Sequence, residues 1–99
     1  MVDTASTFYA NVNSDVILCD PNSVGGDVTV VLPAEANNKV YTIKNIDPGI
    51  YSVIVTTSNT ELTVVENALG GGIGNSTSLT SVGEVYTWMQ CSGVYRKIS

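Results

Sequence analysis

Nine carboxylates are the side chains of this chain best equipped for chemistry, but the sequence does not gather them. Glu61 and Glu66 flank one strand-like run, and Asp15 and Asp20 flank another. Neither pair has the Asp-x-Asp-x-Asp-Gly order of a calcium loop. A glycosidase-type acid and base meet in space, so spacing leaves that pairing open. A 99-residue β module has little room for the groove such a reaction needs. Histidine, the commonest general base and metal ligand, is absent. Gly70-Gly71-Gly72-Ile73-Gly74-Asn75 approaches a dinucleotide fingerprint, but Asn75 stands at the last glycine. No helix pattern follows to turn its N-terminus toward a phosphate, so the run reads as a flexible surface loop. The expectation is no catalytic residue, no cofactor and no metal: the chain is not an enzyme.

Cysteine and aromatic residues offer other chemistry. Cys19 and Cys91 both sit in apolar strand-like runs. Two readings are open: a disulfide joining the two ends of the domain, or two buried thiols acting as small hydrophobes. Phe8, Tyr9, Tyr41, Tyr51, Tyr86, Trp88 and Tyr95 can stack on a sugar or pack in a core or interface. Asn75-Ser76-Thr77 matches the glycosylation acceptor pattern, which matters only in a secreted chain. The first residues lack the basic start and apolar core of a secretory signal, and no run approaches the ~20 apolar residues that span a bilayer. With a net charge of −5 and four basic residues, only Arg96 and Lys97 adjacent, nucleic acid is a poor partner.

Hydrophobic residues make up 43% and charged residues 13%, about half the ~25% usual in soluble domains. Either other subunits cover part of the surface, or Ser, Thr and Asn wet it. The length suits a single β domain spanning residues 1–99, marginal alone because small domains bury a modest share of their surface.

Short β-rich runs carry these residues. Strands are expected at Thr7–Val12, Asp15–Cys19, Asp27–Leu32, Val40–Asn45, Tyr51–Thr57, Leu62–Val65, Ser78–Thr80, Val85–Cys91 and Val94–Ile98, rich in Val, Ile, Thr and Tyr. Turn signals separate them: Asp20–Gly26, Asn37-Asn38, Asp47-Pro48-Gly49 as a type II turn with Gly third, and Ser92-Gly93 as a tight hairpin. Glu61–Leu69 is the one helix candidate, opposed by Thr63-Val64-Val65. Turns at this spacing predict an all-β fold, a compact antiparallel β-sandwich or barrel-like domain. In Val85–Cys91, Val85, Met89 and Cys91 point one way, and Tyr86 and Trp88 the other. One face meets the domain's own core. The other needs a neighbouring subunit, the expectation adopted here, or a second sheet of the same chain. Tyr86, Trp88 and Tyr95 are accordingly the expected subunit-interface residues.

Two segments taken together are familiar. Val30-Val31-Leu32-Pro33-Ala34 leads through polar residues to Tyr41-Thr42-Ile43-Lys44-Asn45, a turn and the strand Ser52–Val55. Ser81-Val82-Gly83-Glu84-Val85-Tyr86 is followed by Cys91-Ser92-Gly93-Val94-Tyr95-Arg96-Lys97-Ile98-Ser99. This resembles a pattern recurring in bacteriophage tail-fibre, tailspike and appendage proteins and in other viral spikes. There a strand ending in Leu-Pro precedes Tyr-x-Ile-Lys-Asn, and a Ser-Asp-Gly-x-x-Trp hairpin closes the chain. The likeness runs from Asp27 to Ser99, with Asp missing from the closing hairpin and Tyr95 in place of Trp. The resemblance implies a homotrimeric module at the distal end of a virion fibre or spike, exposed to the extracellular medium and bringing no catalytic residues. The alternative is a receptor- or glycan-binding head, whose partner is a host-surface glycan or protein.

Overall fold

A computed structural model describes residues 7–11, 16–33, 39–57, 65–66, 73–74, 76–91 and 94–98. Ten strands and one short helix follow in order: β1 (Thr7–Tyr9), β2 (Val16–Cys19), α1 (Pro21–Val24), β3 (Val28–Leu32), β4 (Val40–Asn45), β5 (Val53–Thr57), β6 (Val65–Glu66), β7 (Ile73–Gly74), β8 (Ser76–Leu79), β9 (Val85–Cys91) and β10 (Val94–Lys97). They form a four-stranded sheet, β1-β3-β5-β8, and a six-stranded sheet, β2-β4-β9-β10-β6-β7. The Cα radius of gyration is 12.1 Å, close to the ~13 Å of a compact chain this long.

The expected all-β character is present, but the sheets are mixed, not antiparallel. β1, β3 and β5 run parallel, as do β2 with β4 and β10 with β6. The reason is connectivity: the first six strands alternate between the two sheets, so through them the chain returns to each sheet in the same direction. Antiparallel pairs appear where the chain doubles back, in β5–β8, β6–β7, β4–β9 and β9–β10. The β9–β10 hairpin lies between β4 and β6 and so completes the larger sheet. Cys91 pairs with Val94 across the connection expected at Ser92-Gly93.

Alternation decides the core. Val28, Val30 and Leu32 of β3, with Val53 and Val55 of β5, meet Tyr41 and Ile43 of β4, Trp88 of β9 and Tyr95 of β10 between the sheets. Side-chain hydrogen bonds tie the layers: Asn45 Nδ2 donates to the Leu79 carbonyl at 2.8 Å, and the Tyr95 hydroxyl donates to the Pro33 carbonyl at 2.6 Å.

Within Asp20–Gly26, expected as a loop, one helical turn forms. Asp20 caps it by accepting from Ser23 N–H, Pro21 opens it, and Gly25 closes it at φ 80°. The second turn also differs from expectation. Tyr51 N–H donates to the Pro48 carbonyl at 2.8 Å, so Gly49 is second in its turn and carries φ 58°. Ile73–Gly74 pairs as a strand where a flexible loop was expected. Of the helix candidate Glu61–Leu69, residues 65–66 are strand and the others lie outside the described residues.

Candidate functional site

Two of the three expected interface residues, Trp88 and Tyr95, belong to the chain's own core. Trp88 and Tyr95 have no solvent exposure, and Tyr86 packs half-buried on the same inward side. Register explains this correction: Trp88 stands opposite Tyr41, Tyr86 opposite Ile43 and Tyr95 opposite Gln90, all facing the second sheet of the same chain. The Tyr86 and Trp88 rings lie 6.2 Å apart, and Tyr41 and Tyr95 meet edge-on at 5.9 Å. The Glu84 carboxylate accepts from the Tyr86 hydroxyl at 3.0 Å and raises its pKa. Burial raises that of Tyr95. The sugar-stacking set is broken up likewise: Tyr41, Trp88 and Tyr95 are core, while Tyr9 is 71% exposed.

The uncovered face of β9 is the opposite one. On the outer side of the larger sheet lie the rows Leu18–Lys44–Val85, Val16–Thr42–Thr87, Val40–Met89–Arg96 and Cys91–Val94, and Glu66 of β6 follows Val65, the partner of Tyr95, at the register position beside Arg96. Val16, Leu18, Val40 and Val85 are exposed there. At the centre the Thr42 and Thr87 hydroxyls bond each other at 3.0 Å. The outer side of the smaller sheet has two rows, Thr7–Thr29–Ile54–Ser78 and Tyr9–Val31–Thr56–Ser76, and neither contains a charged residue.

Charge lies elsewhere. β2 and β4 end side by side, and Asp20 and Asp47 follow them. The Asn45 N–H donates to the Glu84 carbonyl at 2.9 Å, and the Asp27 carboxylate accepts from Ser52 N–H at 2.9 Å. All four described acidic side chains, Asp20, Asp27, Asp47 and Glu84, therefore sit at one end of the sandwich. Glu84 accepts from the N–H groups of Thr80 and Ser81, so this carboxylate organises a turn. Ile50 projects from the same pole, 90% exposed. Among the described residues no group of three or more His, Cys, Asp or Glu is placed to hold a metal. Asp15, Glu61 and Asn75 lie outside the described residues.

Of the four cations, Lys39 lies over the Tyr41 ring at 5.7 Å and Lys97 over Tyr86 at 4.9 Å. Lys44 and Arg96 stand on the outer face of the larger sheet. Cys19 is a buried free thiol, pushed up to about 12 by desolvation. It pairs with Asn45 at the acidic end, whereas Cys91 pairs with Val94 at the far end of β9. Six residues of extended strand separate Cys91 from Val85, about 20 Å, far beyond disulfide reach. Among the described residues no helix is long and apolar enough to cross a membrane.

What sequence reasoning missed is the outer face. Its signal was the alternation of β4, where Lys44 shares a side with Val40 and Thr42. No protein-family model, curated protein or solved structure matches this chain.

Proposed function

We propose that the chain is a non-catalytic structural and assembly module of a viral, phage-type fibre or spike, trimerising at a distal end and standing on the virion where it meets the host surface. The single observation that supports assembly is the pair of outer sheet faces, where Val16, Leu18, Val40 and Val85 stand exposed on the larger sheet and the two rows of the smaller sheet hold no charged residue. A free surface in water ordinarily carries mixed charge, and contiguous apolar faces mark interaction sites. The viral assignment and the three-fold symmetry rest on the sequence pattern from Asp27 to Ser99. Light scattering on the purified chain tests the assembly: a mass of three chains is expected, and a monomer at every concentration rejects it.

A second reading, a glycan-binding head, is favoured by Tyr9, an exposed ring beside Val31 on an uncharged, hydroxyl-bearing face. A glycan array separates the two. A saturable hit lost in Tyr9→Ala supports the head, and silence supports assembly.

A further inference from the structure

We infer that the outer face of the smaller sheet binds a neutral oligosaccharide through the apolar faces of its pyranose rings; the inference rests on the glycan-binding reading above. Tyr9 on β1, Val31 on β3 and Ile54 on β5 run diagonally across that face as an apolar strip. Exposed hydroxyls surround it: Thr7 on one side, Ser76 on the other, and Ser78 beyond Ile54. A pyranose ring has the same layout, an apolar C–H face rimmed by hydroxyls. Those hydroxyls both donate and accept, as Ser and Thr hydroxyls do, and a tyrosine ring offers a flat apolar body for the C–H face.

Size and charge select the class of ligand. Neighbouring strands lie ~4.8 Å apart, so the outer two of the four stand about 14 Å apart, and the two rows are separated by about 7 Å along the strands. That makes a patch on the order of 200 Å², against the ~800 Å² that each partner buries in a stable protein interface. The face is too small to hold a second copy by itself and large enough for a short oligosaccharide. All four cations lie with the larger sheet: Lys39 over Tyr41, Lys97 over Tyr86, and Lys44 and Arg96 on its outer side. Two residues before Thr29 the smaller face ends at Asp27, whose carboxylate accepts from Ser52 N–H. With a net charge of −5 on the chain, this face repels sialylated and sulfated sugars and leaves the neutral ones.

A glycan array carrying neutral hexose oligosaccharides beside sialylated and sulfated ones tests this, followed by calorimetric titration of the chain and its variants with the tightest neutral hit. Saturable binding confined to neutral glycans is expected, with an affinity unchanged between about 0.15 M and ~1 M salt. Ile54→Lys interrupts the strip and is expected to abolish binding while keeping the wild-type circular dichroism. Ser78→Ala removes one hydroxyl at an exposed position on the edge strand β8 and is expected to weaken binding about fivefold. Binding confined to sialylated or sulfated glycans overturns the neutral-sugar inference while the head reading stands. Silence across the array removes both. A neutral hit that a folded Ile54→Lys variant still binds at wild-type affinity refutes the site. Should Ile54→Lys misfold, wild-type affinity in both Ser78→Ala and Thr7→Val refutes it instead.

Discussion

Trp88 and Val85 sit three residues apart on β9 and should respond oppositely to truncation. Trp88 is fully buried between the sheets, opposite Tyr41 and tilted against Tyr86, whereas Val85 is 46% exposed on the outer side. Trp→Ala in a packed interior costs about 3–5 kcal/mol, a large share of the roughly 5–15 kcal/mol that holds a domain together. For a chain of this size that lowers Tm by roughly 15–30 °C. Val85→Ser removes a half-exposed methyl pair and should move stability by only about 0.5 kcal/mol. Measurements belong at low protein concentration, where mass action removes any contribution of assembly. Urea unfolding followed by circular dichroism gives the midpoint, and light scattering at high concentration gives the mass. The expected pattern is a collapsed midpoint for Trp88→Ala, and an unchanged midpoint with weakened assembly for Val85→Ser. An unchanged midpoint with a fall in mass for Trp88→Ala would return Trp88 to a subunit interface and refute the face assignment.

Three further outcomes follow from single groups. Burial raises the Cys19 thiol from 9.0 to about 12, so the native state holds a proton that the unfolded state releases. Stability should be full below about pH 9 and fall as pH rises toward 12, by up to about 1.4 kcal/mol per pH unit. Urea midpoints across that range should show a slope that Cys19→Ala flattens, leaving the contributions of Tyr95 and Tyr86, whose pKa values are also raised from the usual 10.0. Gly49→Ala should cost about 1–2 kcal/mol in denaturant unfolding, because φ is 58° and the new Cβ would stand 2.7 Å from Asn22 Oδ1. Asn45→Leu should destabilise by about 1–3 kcal/mol, since it strips the buried Leu79 carbonyl of its donor. Asn45 Oδ1 has no partner in the core, so Asn45→Asp, which keeps that acceptor and loses the Nδ2 donor, should fare no better in the same assay.

Strand positions were legible because a half-buried strand must alternate. Val40–Asn45 and Val85–Cys91 have the expected bounds, and Val28–Leu32 begins one residue later than expected. Strand direction was not legible, because a period-two pattern reads the same both ways. What sets it is whether the chain reverses within a sheet or crosses to the other. The segments 20–27 and 46–52 cross, each anchored by bonds that local propensity does not reveal, such as Asn22 N–H to the Asp47 carbonyl at 3.0 Å. The one-turn helix was encoded: Asp20, Pro21 and Gly25 are the cap, first-turn and closing residues such a helix needs. Reading Pro and Gly there only as breakers hid it.

The orientation of β9 shows why the candidate face was harder to see than the strand that carries it. Both sides of Val85–Cys91 are apolar, so the strand cannot choose a side, and the choice belongs to its neighbours. Lys44 puts one side of β4 outward, which sends Tyr41, Ile43 and Asn45 inward. Arg96 does the same for β10 and sends Tyr95 inward. β9 lies between them, paired Tyr41 to Trp88 and Tyr95 to Gln90, so Trp88 and Gln90 follow inward and Met89 is left outside between Val40 and Arg96. The two cations that select the core side, Lys44 and Arg96, thus stand on the outer face with exposed Val16, Val40 and Val85.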